Sequence, residues 1–348
     1  MWRARYVVKA VVARVLYSLG VLNLWQSRAL RGKAVVLMYH RVLSAEARAQ
    51  TASHPGYVVS ASTFARQMAC LKGRFTVLSE REFVGHLDEG RPFADSSCLI
   101  TFDDGWHDNL THALPVLRHH RLPAVVYLPV HFIGTRRLFW REALTHLVLR
   151  ALHGLREGRD SDGRTQGALE ALGLGQVLAI ADPDPRAAVV EAVAQQAHRR
   201  MDGDDAVLRP LEQALDVRCA DLPTPDTFLS WDDVRHMSRE GIAFGGHGVE
   251  HRLLGELPAV EAEHEVRESM TLIAARTGSP PLGFSYPNGS HTSEVVEMVK
   301  AAGYRVAFTT EPGAVDARDD RFRIRRVNIH EDMTDTTPLF LARVLGLF

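Results

Sequence analysis

The chain has 348 residues, 46% of them hydrophobic, which is enough to bury a large core without requiring a second independent domain. A formal net charge of -1 and a pI near 7.0 give no global field, so charge points to no nucleic acid or acidic polymer as partner. The three cysteines, Cys70, Cys98 and Cys219, form no Cys-x-x-Cys pair. They read as reduced packing residues, and neither a disulfide framework nor a cysteine metal site is expected.

The first 33 residues carry Arg3, Arg5, Lys9, Arg14, Arg28, Arg31 and Lys33 with no acid among them. On a helical wheel Val7, Val8, Val11, Val12, Val15, Leu16 and Leu22 share one broad face, while Lys9, Ala13 and Arg14 fall outside it. The segment 1–33 therefore reads as a basic amphipathic helix with two uses for its apolar face: an anionic membrane surface or the protein itself. Arg14 interrupts the run, which argues against a spanning helix. The broken apolar core and the lack of a clean small-x-small site fit a signal peptide poorly. The expected location is cytoplasmic, with peripheral membrane contact through residues 1–30, and export is compatible with the sequence.

Ala34 to Tyr39 is a strand by composition and ends at His40. Helices follow at Thr63 to Leu71 and from Ser79, where Ser79-Glu80-Arg81-Glu82 has capping-box form and Gly90 closes the turn. Cys98 to Phe102 is a buried strand running into Asp103-Asp104-Gly105. Two carboxylates at a strand's C-terminal end stand where ligands bind in α/β proteins, although Asp-Asp-Gly is equally ordinary turn chemistry. A helix over Asp108 to His120 and a strand over Ala124 to Leu128 complete a βαβα rhythm, which predicts a parallel sheet or barrel with helices outside.

The rhythm stops over 135–223, read as a helical insertion. Its residues 154–163 are loop-like, and Asp184-Pro185 opens a helix to about Arg200 with Val189, Val193, Ala197 and Met201 as its apolar stripe. The barrel is thus expected to be discontinuous, 34–134 and 224–348. It resumes with Ser230 capping a helix from Trp231 to Arg239, stopped by Gly241. The strand at Ile242 to Phe244 then leads into Gly245-Gly246-His247-Gly248-Val249-Glu250-His251. Histidines four apart share one face if the backbone turns helically, which lets both imidazoles converge on one ion. A strand over Leu282 to Tyr286 ends in the turn Pro287-Asn288-Gly289, followed by a helix over Glu294 to Ala302, strands over Arg305 to Thr310 and Ile324 to Ile329, and a C-terminal helix from Thr337.

Thr-Phe-Asp-Asp-Gly, His-x-x-x-His and Tyr-Pro-x-Gly, each closing a strand in that order, resemble the polysaccharide deacetylase family, the NodB-homology group of carbohydrate esterases. Leu37-Met38-Tyr39-His40-Arg41-Val42 and Trp231-Asp232 look most like its exopolysaccharide-biosynthesis branch. The resemblance covers roughly 35–130 and 228–329. It implies a distorted (β/α) barrel and one divalent ion, usually Zn2+, on Asp104, His247 and His251. It further implies Asp103 as general base and a backbone N–H at Asn288 for the oxyanion, and substrate contacts are expected from Tyr286, Pro287, Asn288 and Arg326. His40 is taken as the general acid, because it too ends a strand and this branch carries a histidine there.

Three positions depart from the family pattern. Ser285 stands where an arginine is common, so the partner that orients Asp103 must come from elsewhere, with Arg325 or Arg326 on the last strand as candidates. Asn288 replaces an aromatic residue, and Gly248 replaces the usual Ser or Thr between the histidines. His107, His131, His291 and His330 read as solvated loop residues. The resulting expectation is a metal-dependent de-N-acetylase acting on N-acetylhexosamine in a polysaccharide, oligosaccharide or lipid-linked saccharide. An O-acetyl ester hydrolase with the same site and a non-catalytic carbohydrate-binding relative are the alternatives. A non-catalytic relative would be free to lose Asp103 first.

Overall fold

The computed structural model describes residues 2–160, 162–182, 184–197, 205–222 and 224–348. Its strands are β1 (Ala34–Tyr39), β2 (Arg41–Leu43), β3 (Val58–Ser60), β4 (Thr76–Leu78), β5 (Ser97–Phe102), β6 (Ala124–Leu128), β7 (Ile242–Gly246), β8 (Gly283–Ser285), β9 (Val306–Phe308), β10 (Ala314–Val315) and β11 (Val327–Asn328). Hydrogen bonding orders one sheet as β10-β1-β5-β6-β7-β8-β9, with β4 beside β5 and β11 beside β1. β2 and β3 pair separately. The long strands β1, β5 and β6 are buried at every position, as parallel strands covered on both faces must be.

The sheet curls into a distorted (β/α) barrel, and the segment from Ile324 to Ile329 draws its two ends together. Ile324 bridges Phe308 of β9, while Val327 and Asn328 pair in parallel with Leu37 and Met38 of β1. Inside, Val36, Leu99, Val125, Tyr127, Val306, Phe308 and Ile324 form one apolar cluster. The helix Glu80–Glu89 begins with the expected capping box between Ser79 and Glu82 and ends at Gly90 in a left-handed conformation.

The chain divides into two compact units. The barrel unit takes in residues up to Arg48, Pro55–Thr135 and the chain from Phe228 onward; the other takes in Ala49–His54 and Arg136–Thr227. The short piece 49–54 belongs to the second unit for a visible reason: Asp226 accepts hydrogen bonds from Thr51 Oγ1 at 2.7 Å and Ala52 N at 2.9 Å. Within this unit the helix Trp140–Arg156 runs into the stretch expected to be loop, and a further helix spans Arg186–Ala197. Residues 198–200 and Met201, expected to continue that helix and its stripe, lie outside the described residues.

Three local expectations are corrected. The N-terminal segment is two helices, Trp2–Ser18 and Val21–Ala29, bent by 88° at a left-handed Gly20. The helix expected over 108–120 opens as a π turn, Asn109–Ala113, before Leu114–His120. Residues 247–251 form no helix. Gly248 at φ 77° and His251 at φ 56° bring the imidazoles together through a loop. The expected cap of Trp231–Arg239 is present, with Ser230 and Asp233 exchanging hydrogen bonds.

A buried carboxyl stands in the barrel interior. Glu80 accepts a hydrogen bond from the Tyr127 hydroxyl at 2.8 Å, and burial pushes its pKa up to about 7. A carboxyl raised above its unfolded value binds more protons when folded, so its contribution to stability is lost as pH rises from about 4.5 through 7. Glu80→Gln, which keeps the shape without the charge, should raise the melting temperature at pH 8 by a few degrees, and thermal melts at pH 5 should show the gain shrinking.

A candidate metal and acid-base site

The site gathers at the C-terminal ends of the parallel strands: His40 after β1, Asp103 and Asp104 after β5, His247 after β7 and Ser285 at the end of β8. Asp104 and Gly105 both adopt positive φ, 75° and 69°. That is an uncommon conformation for a carboxylate-bearing residue, and it folds the chain back so that Asp104 meets the histidines. Asp104 Oδ1 lies 3.5 Å from His247 Nε2 and 3.4 Å from His251 Nε2. One ligand atom from each of the three residues falls within 4.8 Å of the others.

The donor chemistry of this trio fits a divalent ion. His247 Nδ1 stands 2.7 Å from Ser285 O, which fixes Nδ1 as a donor and turns Nε2 toward Asp104. Asp104 Oδ2 accepts a hydrogen bond from Trp106 Nε1 at 3.0 Å, so only Oδ1 faces the histidines. One carboxylate and two imidazoles are oxygen and nitrogen ligands of the kind a zinc site with open positions uses. Burial works to raise Asp104's pKa, but the His247 contact and the His251 charge hold it well below the usual carboxylate range.

Asp103 has a different environment. Arg326 grips it with both arms, Nη1 to Oδ1 at 2.8 Å and Nη2 to Oδ2 at 2.7 Å, and Ser285 Oγ donates to Oδ2 at 3.2 Å. Arg326 Nη2 also donates to Ser285 Oγ at 2.8 Å, and its Nε to Thr309 O at 2.9 Å. Burial alone would raise the Asp103 pKa; the charges of Arg326 and His247 overcome it and keep the carboxyl ionised. Arg326 was expected among the substrate contacts. It is instead fully buried against Asp103, and Arg325, the other candidate partner, is exposed.

The remaining expected residues divide. His40 is buried, with Nδ1 lacking a hydrogen-bond partner among the described residues and its ring 4.8 Å from that of Tyr57. Burial holds its pKa below the ordinary histidine value against the pull of Asp104 and Asp103. Asn288 is exposed at φ 51° on a turn closed by Gly289 N to Tyr286 O and Ser290 N to Pro287 O, a set to which its own N–H does not belong. Tyr286 and Pro287, expected to touch substrate, are buried, and the Tyr286 hydroxyl donates to Phe322 O at 3.1 Å. They shape the turn from beneath. Of the histidines read as solvated, only His131 is exposed. His107 and His330 are half-buried, and the half-buried His291 stacks on Tyr286 at 4.8 Å.

Two features lay beyond the sequence reading. Trp106, which holds Asp104, is fully buried between Phe228, at a ring distance of 4.3 Å, and the Arg41 guanidinium, at 4.2 Å. Arg41 in turn pairs with Asp108 at 2.9 Å. The loop bearing His251 is fastened by Glu265, which accepts from Val249 N at 2.7 Å and Glu250 N at 3.0 Å. A Cβ at Gly248 would come within 2.7 Å of that carboxylate, so a Ser or Thr there would displace it.

The barrel thus places an Asp-His-His cluster that could hold a metal ion beside an arginine-held aspartate at the ends of its strands. The sequence profile of the polysaccharide deacetylases matches residues 90–153 and 195–307, together just over half of the chain. The chain belongs to the polysaccharide deacetylase family. A curated relative from Bacillus subtilis strain 168, YxkH, is 26% identical over 106 residues, which span 30% of this chain and only 38% of that relative. Among solved structures, the Streptococcus pyogenes deacetylase PplD in complex with acetate aligns at a TM-score of 0.57 and 16% identity, covering 90% of this chain and 98% of that one. IcaB from Ammonifex degensii aligns at 0.55 and 18% identity, covering 90% and 97%. A de-N-acetylase from Aggregatibacter actinomycetemcomitans aligns at 0.51 and 17% identity, covering 87% and 96%. At these identities the alignments establish a shared fold.

The Arg326 fork makes a specific demand. Arg326→Lys keeps the charge but loses the bidentate grip, so Asp103 should titrate at higher pH. If Asp103 is the base, turnover should fall at least tenfold and the acid limb of its pH profile should move up. A profile that only scales down, with its limb unmoved, would assign Arg326 to structure alone.

Proposed function

We propose that this protein is a divalent-metal-dependent hydrolase that removes N-acetyl groups from N-acetylhexosamine units of a saccharide. The observation that carries this reading is the division of labour between adjacent carboxylates: Asp104 joins two histidines, whereas both oxygens of Asp103 are gripped by Arg326. Asp104, His247 and His251 would hold the ion, zinc by its donor set. When bound there, the ion would supply a water of lowered pKa and polarise the scissile carbonyl.

Asp103, ionised and fixed in direction, accepts the proton of the attacking water. The N–H of Asn288, standing outside the turn's own hydrogen bonds, is available to the oxygen that gains charge. The amide C–N bond breaks only if its nitrogen leaves protonated, and His40 is the group assigned to deliver that proton, giving acetate and a free amine. Because burial lowers the His40 pKa, the acid form is the minor one at neutrality, so amide turnover should decline as pH rises through neutrality.

The test combines metal analysis with acetate release from a panel of N-acetylated oligosaccharides. The protein should carry about one divalent ion per chain, and replacing His247 and His251 by Ala should remove it. Asp103→Asn should retain the ion while turnover falls roughly a hundredfold or more. His40→Ala should impair amide hydrolysis far more than hydrolysis of an activated aryl acetate, whose leaving group needs no proton. Full occupancy in the double histidine variant would overturn the ion assignment. Equal losses on both substrates would move the acid role from His40, with His330 the next candidate.

A further inference from the structure

The N-terminal helices present an apolar face that the barrel unit does not cover. Tyr6 donates from its hydroxyl to Asp335, and Ala10 and Ala13 pack with Leu339, Ala342, Leu347 and Phe348. Ala13 is fully buried, and Lys9 lies over the Phe348 ring at 5.6 Å. In the second helix Leu22 and Gln26 face inward, with Gln26 Nε2 donating to Arg74 O at 3.1 Å. The first helix is therefore fastened by the side opposite its valines, and the second through Leu22 and Gln26.

What this leaves outward is ordered. Val7, Val8, Val11, Val12 and Val15 are 40 to 62% exposed along one stripe of the first helix. Val21, Leu24 and Trp25, at i, i+3 and i+4, are exposed on the second. Isolated surface valines need no explanation, but a contiguous stripe of five does. Arg14, exposed beside the stripe, and Arg28, one turn beyond Trp25, stand in a stretch of 33 residues that holds seven basic residues and no acid.

We propose that these two helices dock the barrel unit onto an anionic lipid surface. The apolar stripe enters the headgroup boundary and the arginines engage the lipid charge. The charge selects this occupant over a second copy of the chain, because two such faces brought together would oppose their cations. The helices lie on the surface without crossing it. No single described helix is long and apolar enough to span, and the pair that qualifies by composition is bent by 88°. Trp25 suits the interface in particular: its indole nitrogen donates to Leu345 O at 3.3 Å while nearly half of the residue remains exposed.

The full chain should be sedimented with vesicles of phosphatidylcholine alone and of phosphatidylcholine with about a third phosphatidylglycerol. Binding is expected to the second and at least tenfold weaker to the first, and it should weaken as salt is raised. Replacing Val8, Val11 and Val15 together by Ser should cut binding at least tenfold with the melting temperature nearly unchanged, since all three are exposed. Arg14→Glu with Arg28→Glu should do the same. Absence of binding to anionic vesicles, or equal binding by the serine variant, would overturn the proposal. So would a dimer in dilute solution that the serine variant dissolves while vesicles remain unbound, which would mean that a second copy covers the face.

Discussion

The buried grip of Arg326 on Asp103 is the interaction on which the site depends. Two adjacent carboxylates at one strand end repel each other and would drift toward shared behaviour, each drawn to whatever cation came near. Arg326 and Ser285 prevent this by occupying the Asp103 oxygens, while the left-handed turn at Asp104 sends its carboxylate toward His247 and His251. The pair contributes little net stability, because both charges are taken out of water. Its value is directional, and removing one partner would strand the other in the interior.

Around this pair the supports are arranged in depth. Trp106 holds Asp104 and is itself clamped between Phe228 and Arg41, and Arg41 is balanced by Asp108. Asp108 also accepts from Val42 N at 2.7 Å, and Asn109 donates to His40 O at 2.9 Å. The opening of the Asn109–Ala113 segment as a π turn accompanies these two anchors, which tie it to the strand end bearing His40. An irregular turn at that point is thus explained by what its side chains hold.

Much of the site was legible in the sequence because its parts are local. Asp103, Asp104, His247 and His251 each close a short apolar strand, and strand ends are where a parallel sheet presents its chemistry. Arg326 was ambiguous because Arg325 adjoins it, and neighbouring residues of a strand point to opposite faces; only the register of β11 on β1 decides between them. Trp106 and Glu265 were invisible because their roles depend on distant partners. The N-terminal helices misled in another way. Amphipathicity identifies an apolar face without saying which part of it meets the protein, and here small residues, Tyr6 and Leu22 make the contact while the valines do not.

The closure of the barrel by the segment 324–329 has a consequence for how the site comes into being. Arg326 and Asp103 are 223 positions apart, and Arg326 immediately precedes β11, the last strand of the chain. A chain ending before residue 324 would keep Asp103, Asp104, His247 and His251 but lose the guanidinium that grips Asp103. The grip on Asp103 is built into the closure of the barrel, where Ile324 pairs with Phe308 and Val327 with Leu37. Such long-range closure is a slow contact for a chain to find. The orientation of Asp103 is thereby tied to closure of the barrel by its last segment.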